Sequence, residues 1–272
     1  MTARAFLIRG LVAGLIAGFA AFAVAYFVGE PHVQRAIEIE ESAAAPATPG
    51  AQYEGQAFTA SPAAVHTHDE GHEEDGTVVS RDNQRTWGLL TGTLGISTAL
   101  GAIVALVAAG IVGRIGRWTP GQSTAYAAAA GFVAVALVPF LKYPAAPPAV
   151  GNADTIGDRT SSYFIFLLIS ILAAVAATAL GQRLWEHRGT YVAVVSGAGL
   201  YLVVVVLAAV LMPTVNEVGD FPADTLWYFR LASIFTQATM WGTIGVLLVG
   251  MVGKLYRDTL AAAQRRELAA SL

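Results

Sequence analysis

The chain has no cysteine. Disulfides and thiolate metal sites are excluded, so a transition metal can be held only by imidazole, carboxylate or carbonyl groups. Charge is scarce as well: 13% of the 272 residues are Asp, Glu, Lys or Arg, against about a quarter in soluble domains. There is no phosphate loop, because Gly250-Met-Val-Gly-Lys254 has the wrong spacing and closes an apolar run. Any ATP-driven process would therefore need another subunit. No basic cluster fits nucleic acid. No histidine falls inside an apolar run, which counts against a membrane haem. No serine, histidine and acid share one depth, so the sequence does not read as an enzyme and no catalytic residue is assigned. Apart from Arg9 near the end of the first run, no charge occupies the middle of a run. Proton-coupled carriers usually keep one there, so a channel-like or partner-driven permease is favoured.

What the chain has is long apolar runs. Hydrophobic residues make up 55% of it, and the mean hydropathy is +0.57. The runs cover about 5–28, 87–112, 122–141, 161–182, 190–212 and 230–252. Each approaches the ~20 residues that cross a hydrocarbon layer about 30 Å thick. The reading is an all-α, polytopic membrane protein of six transmembrane helices. Residues 1–28 hold the first span, 29–86 an outer loop, 87–252 a five-helix bundle and 253–272 a polar, helix-prone tail. The links at 113–121 and 183–189 are short and predict antiparallel hairpins.

Sidedness follows from Lys and Arg near the spans. With the amino terminus in the cytoplasm, ten basic residues lie inside and six outside, while acids divide three inside and sixteen outside. Both termini are then cytoplasmic, and the outer face carries net negative charge, which concentrates cations. Trp87, Trp118, Trp185, Trp227, Tyr143 and Tyr228 cluster at span ends as an interfacial belt.

Gly10, Gly14 and Gly18 recur every fourth residue on one face of the first run. They predict close helix packing, against the plainer reading of a Gly/Ala-rich apolar helix. A cleaved signal peptide competes for the same run, since Arg4 and Arg9 come early and Ala21-Phe-Ala23 resembles a cleavage box.

Residues 29–86 carry four prolines and ten carboxylates through Asp75, and they predict a solvated, largely disordered loop with at most a turn or two of helix over 34–42. Within it, His66-Thr-His-Asp-Glu-Gly-His-Glu-Glu-Asp75 places three of the five histidines within seven residues. His66, His68 and His72, with Asp69, Glu70 and Glu73, are the candidate metal ligands. The bland reading is a polar linker. Nickel, cobalt and zinc all suit this donor set, as cargo and not as a tightly bound cofactor.

Two other stretches echo one another. Leu137-Val-Pro-Phe-Leu-Lys-Tyr-Pro-Ala145 and Leu211-Met-Pro-Thr-Val-Asn-Glu-Val-Gly-Asp-Phe-Pro-Ala223 each close an apolar run and lead to Ala-Asp-Thr. The offset is 74 residues at Pro139 and Pro213, and 70 at the triplets beginning at Ala153 and Ala223. Spans 3–4 and 5–6 thus read as parallel repeats. Glu30, His32, Lys142, Asn216 and Glu217, with Asp220 and Asp224, form a candidate outer pathway beside these prolines. Lys142 is a candidate partner for Glu217, and ordinary interfacial anchoring is the competing reading.

As a set, these residues resemble the CbtA family, predicted cobalt transporter subunits of bacteria. The resemblance runs over nearly the whole chain. It is carried by Arg4-Ala-Phe-Leu-Ile-Arg-Gly-Leu-Val-Ala-Gly-Leu-Ile-Ala-Gly18, Gly29-Glu-Pro31, the His/acidic segment into Asp82-Asn-Gln-Arg-Thr86, Pro139-Phe-Leu-Lys-Tyr-Pro144 with Pro147-Pro148, and Asn216-Glu217 with Phe221-Pro-Ala223. It implies a multi-pass protein of the bacterial inner membrane with about five spans, cobalt supply for cobalamin synthesis, and a small single-span, His-rich CbtB partner. From the residues, the bilayer is a further partner and a homo-oligomer remains open. A non-transporting metal sensor or scaffold is the alternative function.

Overall fold

Leu, Val, Ala and Ile in uninterrupted runs leave backbone groups nothing to bond but each other, and helices satisfy all of them locally. The computed structural model describes residues 1–44, 80–115 and 118–271, and the described residues contain helices and no strand. The helices are α1 (Ala3–Val24), α2 (Glu30–Ala44), α3 (Arg81–Asn83), α4 (Leu89–Ile111), α5 (Pro120–Gly131), α6 (Val138–Lys142), α7 (Ile156–Leu211) and α8 (Ala223–Ala270). Wider π-turns join α1 to α2, α3 to α4 and α5 to α6. Five helical stretches, so joined, are long and apolar enough to cross a membrane. Their outward faces carry exposed Leu, Val, Ile and Phe along their length, among them Leu168, Leu172, Leu202 and Val206 of α7.

The core lies where α1, α4, α5 and α8 meet. Ala13, Ala17, Ala105, Ala108, Ile244, Leu248 and Val252 are all fully buried there. Gly10, Gly14 and Gly18 lie in the α1–α4 contact. A Cβ on Gly14 would overlap the Ser97 carbonyl oxygen and come within 2.7 Å of Thr98 Cα; one on Gly18 would come within 2.8 Å of Leu94 Cα. From α4, Gly101 faces the Gly10 carbonyl in the same way. Backbone therefore meets backbone along this seam.

Two prolines sit inside helical stretches without ending them. Glu30 N–H bonds to the Ala25 carbonyl just before Pro31, and Val138 N–H bonds to the Val133 carbonyl just before Pro139. Each is a five-residue step in place of four. The wider turn accommodates the pyrrolidine ring, which would clash with a regular α-turn. One consequence is a loss at Ala134: its usual donor, Val138 N–H, has moved to Val133, and Pro139 has no N–H to replace it. The hydroxyl of buried Ser170 donates to the Ala134 carbonyl at 2.8 Å and contacts the Tyr201 hydroxyl at 2.9 Å. Ser170→Ala should therefore lower stability by about 1–3 kcal/mol, the cost of an unpaired buried carbonyl, read as a fall in thermal midpoint of the detergent-solubilised protein.

The structure corrects three expectations. Helix continues past Gly29 to Ala44 and resumes at Arg81, so 29–86 is not one irregular loop; the π-turn carries the chain through Pro31, and α2 buries Ala36 while packing on α8. Pro139 does not close its helix: the end comes at Lys142, because Tyr143 precedes Pro144 and takes a non-helical conformation. Met212 before Pro213 does the same. The matching prolines are therefore Pro144 and Pro213, 69 residues apart, close to the 70 of the triplets.

Helix α7 is 56 residues long but breaks at Gly189, whose φ of +83° suits glycine. Its two halves fold back on each other. Gly181 lies 3.5 Å (as a built Cβ) from the Ala193 carbonyl, Gly197 similarly 3.0 Å from that of Ala177, and Ser170 touches Tyr201.

Candidate functional site

The two echoed stretches meet at one end of the bundle and lock together. Lys142 Nζ donates to the Met212 carbonyl at 3.3 Å, and the Tyr143 hydroxyl to the Pro213 carbonyl at 2.8 Å. The backbone N–H of Asn152 donates to Glu217 Oε2 at 2.9 Å, and Arg159 Nε lies 3.5 Å from the same oxygen. Arg230 Nε donates to the Ala145 carbonyl at 3.3 Å. Glu217 is thus taken by Arg159 and Asn152. Lys142, the expected partner, instead reaches a carbonyl freed by the end of α7 and lies 5.3 Å from the Tyr143 ring centroid.

Beneath this lock opens a cavity of about 950 Å³. Its mouth is formed by Glu30, Tyr143, Arg159, Glu217 and Arg230; Ser233, Thr236 and Gln237 of α8 line it further in, with Met240 and Trp241 beyond them. Between these polar groups the wall is apolar, including Ile96, Leu100, Val135, Phe140 and Phe164. Trp241 is wedged against Gly131, where a Cβ would lie 2.6 Å from its ring. The cavity thus runs from the locked loops towards the interior of the bundle.

The rim residues part company here. Glu30 lines the cavity and is held by Arg81 at 2.6 Å. Glu217 lines it and is held as above. His32 stacks on Tyr228 with ring centroids 5.8 Å apart. Asn216, Asp220 and Asp224 are exposed and do not line the cavity. Among the described residues no three His, Asp or Glu side chains gather as a metal site. The candidate ligands His66, His68, His72, Asp69, Glu70 and Glu73 lie outside the described residues.

Sequence reasoning overlooked Arg159 and Arg230, counted there only as outer charges. A signal existed: each follows its Ala-Asp-Thr triplet by two turns, six and seven residues after Ala153 and Ala223. It also overlooked Ser233, Thr236 and Gln237, whose common face emerges only once α8 is docked.

Glu217 is held below the ordinary carboxylate range, chiefly by the Asn152 N–H, then by the Thr155 hydroxyl, with the Arg159 charge adding to both. A depressed carboxylate contributes stability that is complete above its unfolded pKa and is lost as pH falls through its folded one. Glu217→Gln should therefore lower the thermal midpoint at neutral pH, and the difference from wild type should shrink only as the pH drops below 4.5, the ordinary value. A gap that is unchanged in acid would mean the glutamate is not the group responsible.

A bundle of helices long and apolar enough to cross a membrane, apolar on its flanks, is the architecture of a multi-pass membrane protein. The sequence profile of CbtA, described as a probable cobalt transporter subunit, matches residues 3–253, so the chain belongs to the CbtA family. This bears out the resemblance drawn from the sequence, and the word subunit implies partners. Neither curated proteins nor solved structures give a significant match.

Proposed function

We propose that this chain is the membrane-spanning subunit of a cobalt uptake system in the bacterial inner membrane, and that the cavity is its outer vestibule. The cavity carries this reading: it opens at the end where the proline-rich stretches lock, and it reaches past Gln237 to Trp241. A fold-back at Gly189 supports six crossings, with both termini in the cytoplasm and the lock facing outward. The Lys and Arg distribution has the same polarity.

In this account the His66–Asp75 segment captures the metal and raises its concentration above the vestibule. Cobalt is the cargo, with nickel and zinc the chemical competitors of the same donor set. Charge sits at the cavity mouth, and among the described residues the buried polar side chains are the neutral Ser97, Ser123, Thr124, Ser170 and Thr225, as suits a permease driven by another component. A CbtB-like single-span subunit is the proposed partner. Deleting residues 66–75 should weaken uptake at low metal concentration more than at high. Equal loss at both would remove the capture role, and a chain that moves no metal in liposomes, alone or with a CbtB-like partner, would point to a sensor or scaffold.

A further inference from the structure

We propose that the cavity receives its metal as an anionic, carboxylate-bearing chelate docked on the Arg230 guanidinium, and not as a bare divalent cation. This rests on the transport reading above and specifies the cargo.

The charges at the mouth give the first reason. Among the described residues the carboxylates lining the cavity are Glu30 and Glu217, and both are already bound to arginine, Glu30 to Arg81 and Glu217 to Arg159. No histidine among the described residues lines it. A bare cation entering would meet two acids whose charge is already offset by arginine. Arg230 is in the opposite state. It is half-buried in the wall and makes one bond, through Nε, to the Ala145 carbonyl. Among the described residues no carboxylate lies within ion-pair distance of it. Its guanidinium is a planar fork that matches a carboxylate in two parallel hydrogen bonds. An arginine left without an acid in a largely apolar cavity repels a bare divalent ion and attracts an anion.

Room gives the second. The cavity of about 950 Å³ is in the range of small-molecule sites, roughly 300–1,000 Å³. A water takes about 30 Å³, so a six-water cobalt ion would fill roughly a fifth of it. Below Arg230, Gln237 supplies an uncharged donor and acceptor, and the Ser233 and Thr236 hydroxyls, which donate to the Phe229 and Ala232 carbonyls, supply acceptors, which suits the mixed hydroxyl and carboxylate groups of a chelate. A tricarboxylate bound to Co²⁺ carries net negative charge and satisfies both the charge and the size.

Titration calorimetry of the purified full chain with citrate, cobalt–citrate and cobalt chloride tests this. Citrate and cobalt–citrate should bind one competing site, and in a chain lacking the proposed His66–Asp75 capture segment they should bind more tightly than cobalt chloride does without citrate. Arg230→Gln should weaken both at least about tenfold, Arg230→Lys should fall between, and exposed Arg35→Gln should change nothing. The lysine variant keeps the charge and serves if the glutamine one fails to fold. Citrate binding that ignores both Arg230 substitutions, or cobalt binding tightest without citrate in the chain lacking residues 66–75, overturns the proposal. Liposome flux separates the two readings: cobalt–citrate bound but no metal moved overturns transport alone, whereas free cobalt moved best without citrate overturns the chelate alone.

Discussion

Ser233→Trp should stop cobalt uptake while leaving the bundle folded. Ser233 lies on the cavity wall, one turn inward from Phe229, to whose carbonyl its hydroxyl donates. An indole there projects into space, and the surplus bulk is taken from the passage and not from packed core. We expect uptake in liposomes to fall at least about tenfold, with a thermal midpoint within a few degrees of wild type. The control is Val246→Trp on the same helix, whose side chain is 74% exposed on the outer surface and whose enlargement should be silent. Equal uptake by both variants would place the route elsewhere.

Gly14→Leu should fail to fold. An added Cβ at Gly14 meets backbone, the Ser97 carbonyl and Thr98 Cα, and backbone cannot rotate away as a side chain can. Forced overpacking costs about 1–3 kcal/mol in a typical core, and here α1 and α4 must separate along their whole seam. The expected result is loss of monodisperse protein after extraction. Gly92→Leu on α4, where nothing lies within 4 Å of an added Cβ, should behave as wild type. Indifference at both would mean the seam contributes little.

The helices were legible because an apolar run of this length has few alternatives to helix, and the short links at 113–121 and 183–189 pointed to hairpins. Spacing alone put Gly10, Gly14 and Gly18 on one face, but only the docked helices identify Ser97, Thr98 and Gly101 as what that face meets. Proline misled at two places for one reason: Pro31 and Pro139 look like helix ends, and a π-turn just before each removes the steric cause of ending. The echo between the two loops was visible as repeated residues. Their mutual lock was not, because the acceptors at Met212, Pro213 and Ala145 are backbone carbonyls, which no sequence distinguishes. The tally of outer charge suggested an acidic vestibule. The cavity wall itself pairs its acids with Arg81 and Arg159 and leaves Arg230 over, a local arrangement that a sum over loops averages away.

The chain's lack of cysteine makes the decisive measurement direct. A single thiol placed on the cavity wall by Thr236→Cys would be the only one in the protein. If the cavity is the outward-facing route for metal, a membrane-impermeant thiol reagent added outside intact cells should label it, and labelling should cut cobalt uptake about tenfold. Labelling only from the cytoplasmic side, or complete labelling with uptake unchanged, would contradict the account.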